Sequence, residues 1–262
     1  MKVAAIAVVV WLDSLRRKDV YVLLVLLAGL LVALGSVDLF GLGGVALYVL
    51  DIGLLFCWVF GWILAMNAGC RELPQEESRG TIYMLLAKPM SRLEFVAGKW
   101  LGTWSGVVTA VLFFYVAAAL LAIIRGASFS VHVLFQAWLL HAVALAVLTA
   151  LGLVVSTRLN RDAATTLTAV LSGAAFFLVP RVPELVLHSA PWAQTPLIAL
   201  YFALPHLELF DLRQQVIHGH AGLNAGTLLA LVAYGLTCTA ALVLVAWLAY
   251  RNKRFDRATL AD

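Results

Sequence analysis

The sequence predicts an all-α integral membrane protein: an N-terminal interfacial helix, six transmembrane helices, both termini in the cytoplasm, and short helices in the outer connection before the last span. Three observations carry this. Of the 262 residues, 63% are hydrophobic and 12% charged, whereas a soluble domain is nearer half apolar and a quarter charged. The apolar residues are gathered into runs near the length that crosses a bilayer, about 20 residues for about 30 Å of hydrocarbon. The basic residues lie between those runs and fall mostly on one side, the bias that orients membrane helices.

The first apolar run, Val3 to Leu12, is too short to cross and is followed by Asp13 and the cluster Arg16, Arg17, Lys18. A signal peptide would need a small-residue cleavage site where this basic cluster stands. Residues 1–18 therefore read as a helix lying at the interface, charges toward the cytoplasmic headgroups. Six longer runs follow: Val20–Val37, Val45–Ala68, Leu101–Ile124, Val131–Ser156, Ala163–Val179 and Gly226–Tyr250. One Lys or Arg at a span centre costs about 2.5–3.5 kcal/mol on the insertion scale, and none of the six contains one. With the N-terminus inside, fifteen of the eighteen Lys and Arg fall on the cytoplasmic side, leaving Arg125, Arg181 and Arg213 outside. A formal charge of +4 spread in this way points to a membrane surface and not to nucleic acid. Trp11, Trp100, Trp104, Tyr48 and Tyr250 fall near run ends and read as interfacial anchors.

Two connections are longer than turns. The outer one, 180–225, holds Pro180, Pro183, Pro191, Pro196 and Pro205, yet stays apolar, as in Pro196-Leu-Ile-Ala-Leu-Tyr-Phe-Ala-Leu204. Short helices on or in the outer leaflet, broken by the prolines, fit this composition. The cytoplasmic one, 70–100, carries charges of both signs and turn signals at Pro74, Gly80 and Pro89. Glu76, Glu77 and Arg79 precede the apolar Ile82, Tyr83, Leu85 and Leu86; Pro89 ends the cluster. Ser91 with Glu94 three residues on has the spacing of a capping box that starts a new helix. An exposed apolar face flanked by charge suits docking into a groove of a cytoplasmic protein, and suits resting on lipid equally well.

The candidate residues inside the spans are polar groups that are costly in lipid: Asp51, Asn67, Gln136 and His141, with Thr109 and Thr149. Gln136 and His141 are five residues apart, about 140° on a helix, so they do not form one tight site. Helix–helix hydrogen bonding is the simpler role for such groups; a substrate pathway is the other. His188, His206, His218 and His220 fall in the outer connection, and His218 and His220 are the weak candidates for metal ligands, with no metal site otherwise indicated. Cys57, Cys70 and Cys238 form no CxxC pair. No GxSxG or HExxH occurs, so no catalytic residues are assigned.

The pattern Glu76-Glu77, Arg79-Gly80-Thr81, Leu85-Leu86-Ala-x-Pro89, Ser91-Arg92-x-Glu94-Phe95 and Gly98-Lys99 resembles the ABC-2 type transporter permeases, the membrane subunits of ATP-binding-cassette transporters and often of exporters. The layout, with an interfacial helix, six spans and a coupling segment after the second, is similar across nearly the whole chain. The resemblance implies that Glu76, Glu77, Arg79, Gly80, Thr81, Leu85, Leu86, Pro89 and Arg92 form the surface that couples to an ABC ATPase subunit. It implies that ATP and Mg²⁺ belong to that partner and that this chain binds no cofactor. It also implies a second copy or a similar permease, surrounding lipid, and a multi-pass place in the plasma membrane, as in a bacterial inner membrane. The sequence agrees in lacking GxxxxGK[ST]: Gly98-Lys99 has no earlier glycine at the required spacing and is followed by Trp100. Residues 1–262 read as one transmembrane domain with no nucleotide-binding domain and no enzyme activity of its own. Other classes remain open at this point: a non-transporting membrane anchor or regulator of a cytoplasmic partner, or a permease serving metal-linked maturation of a periplasmic enzyme.

Overall fold

The structure is a computed structural model that describes residues 2–36, 45–78, 91–219 and 221–251. Among these residues every regular element is helical. In chain order they are α1 (Lys2–Leu15), α2 (Lys18–Ser36), α3 (Val45–Ser78), α4 (Arg92–Ile124), α5 (Val131–Ser156), α6 (Arg161–His188), α7 (Pro191–Ala203), a short 3₁₀ turn (Leu207–Phe210), α8 (Arg213–Ile217) and α9 (Ala225–Arg251). Among the described residues five helices are long and apolar enough to cross a membrane, namely α3 from Tyr48, then α4, α5, α6 and α9. α2 is a shorter apolar helix over Val20–Ala33.

α5 is the central post. From Leu140 to Leu153 nearly every side chain is buried, because α3, α4, α6 and α9 all pack on it. A helix apolar on every face belongs in such a position. The main core joins Leu50, Leu54 and Trp58 of α3 with Val111 and Phe114 of α4 and Leu140 and Leu148 of α5. The connection after α6 is folded onto this core: Leu207, Phe210, Leu212 and Val216 are buried in it. The short helices expected there are present. Pro191 begins α7 and Pro205 follows its end, but Pro196 sits inside it.

Three features depart from the sequence reading. α3 runs on through Pro74 to Ser78, so that proline marks no turn. Proline forfeits the bond to the carbonyl four residues back; the ion pairs described below hold the helix on both sides of it. α6 continues past Val179 to His188 instead of stopping at Pro180. It widens into a π-helical turn over Ala174–Leu178, in which the Val179 N–H reaches the Ala174 carbonyl. That five-residue bond precedes Pro180, which then opens a 3₁₀ turn, so the proline ring meets no α-helical carbonyl at the usual spacing. Tyr250, read as an interfacial anchor, is buried and stacks on Phe95.

α1 has a protein partner. It lies along the early turns of α4, where Gly98, Gly102 and Gly106 face Ile6, Ala7 with Val10, and Ser14. A Cβ at Gly102 would come within 2.6 Å of the Ala7 carbonyl oxygen, so the two backbones meet at a distance only small residues allow. Trp11 locks the pair by donating its indole N–H to Thr109 Oγ1 at 3.1 Å. On another face of α4, Trp100 and Trp104 stack and donate to the Ala146 and Ala142 carbonyls of α5. These indoles join helices within the bundle.

Candidate functional site

The strongest charged constellation stands where α3 ends and α4 begins, beside the α1–α2 corner. Glu72 and Glu76 are one turn apart on α3, Lys99 lies two turns into α4, and Asp13 and Arg17 flank the corner. Arg17 Nη2 meets Asp13 Oδ2 at 2.7 Å and Glu72 Oε1 at 2.8 Å. Lys99 Nζ meets Glu72 Oε2 at 3.2 Å and Glu76 Oε1 at 2.5 Å. Glu72 thus bridges two cations from two different elements, and it and Lys99 are buried. Buried charges are tolerated when each is paired and hydrogen-bonded, and removing one partner costs about 3–5 kcal/mol. The five groups therefore tie three chain segments into one body.

This places the residues expected to couple to a partner. Glu76 is turned inward on Lys99, and Glu77 is half-buried at the same end of α3. Arg92 donates to the Tyr250 and Arg251 carbonyls at 3.0 and 2.6 Å, capping the last turn of α9 with a cation where the helix dipole is negative. Ser91 and Glu94 form the expected capping box at the start of α4. Arg79, Gly80, Thr81, Leu85, Leu86 and Pro89 lie outside the described residues. The sequence reading missed Glu72, Lys99 and Arg17, since Lys99 counted only as a loop charge.

The intramembrane polar candidates separate into different places. The Gln136 side chain donates to the Leu223 carbonyl and accepts from the Leu223 N–H, each at 2.9 Å. It is a clasp between α5 and the chain leading into α9. Asn67 donates to the Ile63 carbonyl and lines a small cavity of about 30 Å³ with Ser14, Arg17 and Arg71. His141 is fully buried, and its ring lies flat on Trp58 at 4.4 Å. Among the described residues neither of its ring nitrogens has a hydrogen-bond partner, and the Tyr115 ring lies beside it at 5.7 Å.

Trp58 also links this cluster to the connection. The Arg213 guanidinium lies 5.6 Å from its ring centre and is paired with Asp211 through Nε and Nη2. Burial opposes its charge, but the Asp211 carboxylate outweighs that and raises the Arg213 pKa, with Asp51 adding to the effect. Asp51, an intramembrane candidate, is thus drawn into the surroundings of a residue counted as a loop cation. Beside them a groove of about 370 Å³ opens between α3 and α6, with Trp58, Trp62, Phe176, Phe177 and Arg213 among its walls. His218 bonds the Gln214 carbonyl through Nδ1, and His220 lies outside the described residues. Among the described residues no three His, Cys, Asp or Glu side chains gather as metal ligands would.

Two comparisons bear on this architecture. A search of curated proteins returns no significant match. A family model described as ABC-2 family transporter protein matches residues 45–259, a stretch that includes α3 through α9 and both the ionic constellation's α3–α4 half and the aromatic groove. With several helices fit to cross a membrane and a family match over most of its length, this chain belongs to the ABC-2 family of transporter proteins, as a multi-pass permease subunit of an ABC transporter.

Proposed function

We infer that this chain is the membrane half of an exporter in a bacterial inner membrane, and that an ATPase subunit docks on the segment between α3 and α4. In this reading α2 is the first of six spans, both termini are cytoplasmic, and a second copy or similar permease completes the pathway. ATP and Mg²⁺ bind in the partner. The bias of Lys and Arg supports the orientation.

The observation that carries the reading is the ionic constellation Arg17–Glu72–Lys99–Glu76. It fastens both flanks of the 79–90 segment to each other and to the α1–α2 corner. A push on that segment is then delivered to α1, α3 and α4 together, as a rigid-body shift requires. Glu76 acts in this junction, leaving Glu77 and the 79–90 segment as the contact surface. An anchor without transport would need docking but no such junction.

The test is coexpression with an ABC ATPase subunit from the same genome. Copurification is expected, with ATP turnover stimulated by the permease. Glu77→Lys should weaken copurification, whereas Lys99→Met should leave the complex assembled but lower the stimulation. Failure of the ATPase to copurify, or turnover indifferent to both changes, overturns the reading.

A further inference from the structure

We propose that the small cavity at the α1–α2 corner is a halide site, taking one chloride ion against the donors of Ser14, Arg17 and Asn67. The cavity has a volume of about 30 Å³ and lies where the corner meets α3 and α4. Its polar wall is Ser14, Arg17, Asn67 and Arg71, and apolar side chains that include Leu64 and Val107 close the rest.

Two of the polar groups carry the argument. Ser14 is 5% exposed, and its hydroxyl has no hydrogen-bond partner among the described residues. Arg17 donates through Nε to Asp13 and through Nη2 to Asp13 and Glu72. Its Nη1 is also shielded from solvent, and among the described residues it bonds to nothing. Buried donors of this kind are normally satisfied, by water or an ion where no protein group serves. Both of these stand on the wall of the same cavity.

The chemistry of that wall selects the occupant. Asp13 and Glu72 hold the other edge of the Arg17 guanidinium, and neither lines the cavity. The polar end therefore presents a hydroxyl, an amide and two guanidinium groups, all of them able to donate. Asn67 gives one amide hydrogen to the Ile63 carbonyl and has a second to offer. A water at this end would have two protons of its own to place where donors predominate. A monatomic anion accepts from every donor, in charge-assisted bonds stronger than neutral ones. A water needs about 10–15 Å³, so about 30 Å³ accommodates chloride or bromide, and the phosphate of a lipid headgroup is bulkier than that. A halide held here would join α1, α3 and α4 beside the Glu72 ion pairs and so fasten the N-terminal helix to the bundle. The site follows from the buried donors and does not depend on the permease reading.

The full chain, purified in detergent with gluconate as the anion, is melted as sodium chloride or bromide replaces gluconate at constant ionic strength. Saturable stabilisation is expected, as mass action requires of an ion that binds the folded state alone, with fluoride, inorganic phosphate and dihexanoyl phosphatidylglycerol without effect. Ser14→Ala should weaken the apparent affinity about tenfold. Val107→Ile, which adds one methylene to the wall, should do likewise. Ser105→Ala, which removes a hydroxyl bonded within α4, should not. Crystals grown in bromide should show an anomalous peak in contact with Ser14 Oγ and Arg17 Nη1. No saturable halide effect, an equal effect of phosphate or the short lipid, unchanged affinity in both Ser14→Ala and Val107→Ile, or a bromide-soaked cavity holding only water overturns the proposal.

Discussion

The Lys99 ammonium lies 3.2 Å from the Glu72 carboxylate, and both side chains are more than nine-tenths buried. Two charges taken out of solvent at the end of a membrane helix pair are stable only as a unit. Lys99→Met should strand Glu72 beside Arg17 alone, and Glu72→Gln should strand Lys99 beside Glu76. Each should lower stability by about 1–3 kcal/mol, because the remaining charge keeps one partner and loses one charge-assisted hydrogen bond. The double variant should lose less than the sum of the two, because it leaves fewer uncompensated charges. Thermal inactivation of the detergent-purified protein, run as a double-variant cycle, measures this; strict additivity would show that the pair is not coupled.

The packing of α1 makes a prediction about glycine. Gly102→Val puts a branched side chain where a Cβ alone would reach the Ala7 carbonyl oxygen at 2.6 Å, so α1 must lift away from α4. The expected cost is about 1–3 kcal/mol, the range for overpacking, and Ser14→Cys should become reactive to a maleimide in that background. Gly29 in α2 is the control, since a Cβ there meets nothing within 4 Å. Gly29→Ala should be neutral or should stabilise by up to about 1 kcal/mol through helix propensity.

Gln136 should act on the chain before α9, not on cargo. Gln136→Leu removes both bonds to the Leu223 backbone, leaving a donor and an acceptor without partners at about 1–3 kcal/mol. Amide exchange at Leu223 should speed up while exchange in the middle of α5 does not. Gln136→Glu keeps the acceptor for the Leu223 N–H and should protect that amide better than leucine does.

Arg92 caps a helix from far away in sequence. Arg92→Ala should fray the last turn of α9, where the Tyr250 and Arg251 carbonyls lose their donor. The cost is about 0.3–1 kcal/mol, read as faster amide exchange near the end of α9. Arg92→Lys, which keeps the charge but not the fork, should recover part of the loss.

Much of the fold was legible because bilayer length and helix period act locally. The apolar runs became helices with nearly the expected ends at Ile124, Val131 and Ser156, and Ser91 with Glu94 formed the capping box their spacing announced. The proline signals misled at Pro74 and Pro180, where tertiary ion pairs and a π-helical turn keep the helix going. The four-residue spacing of Gly98, Gly102 and Gly106, a small-residue stripe on which α1 packs, went unread in the sequence.

By itself the sequence determined that this is a helical, multi-pass chain, because hydrophobic run length and charge placement report directly on solvent, and the motifs between Glu76 and Lys99 carried its resemblance to the ABC-2 permeases. Only the tertiary structure decided that Lys99 is buried between Glu72 and Glu76, that Gln136 and His141 serve separate neighbourhoods, and that Arg213 reaches Trp58 at the head of an aromatic groove. Those relationships join residues 23 to 87 positions apart in the ion pairs and the Gln136 clasp. Pairings at that range depend on how helices cross, which packing of the whole bundle sets and no local pattern encodes.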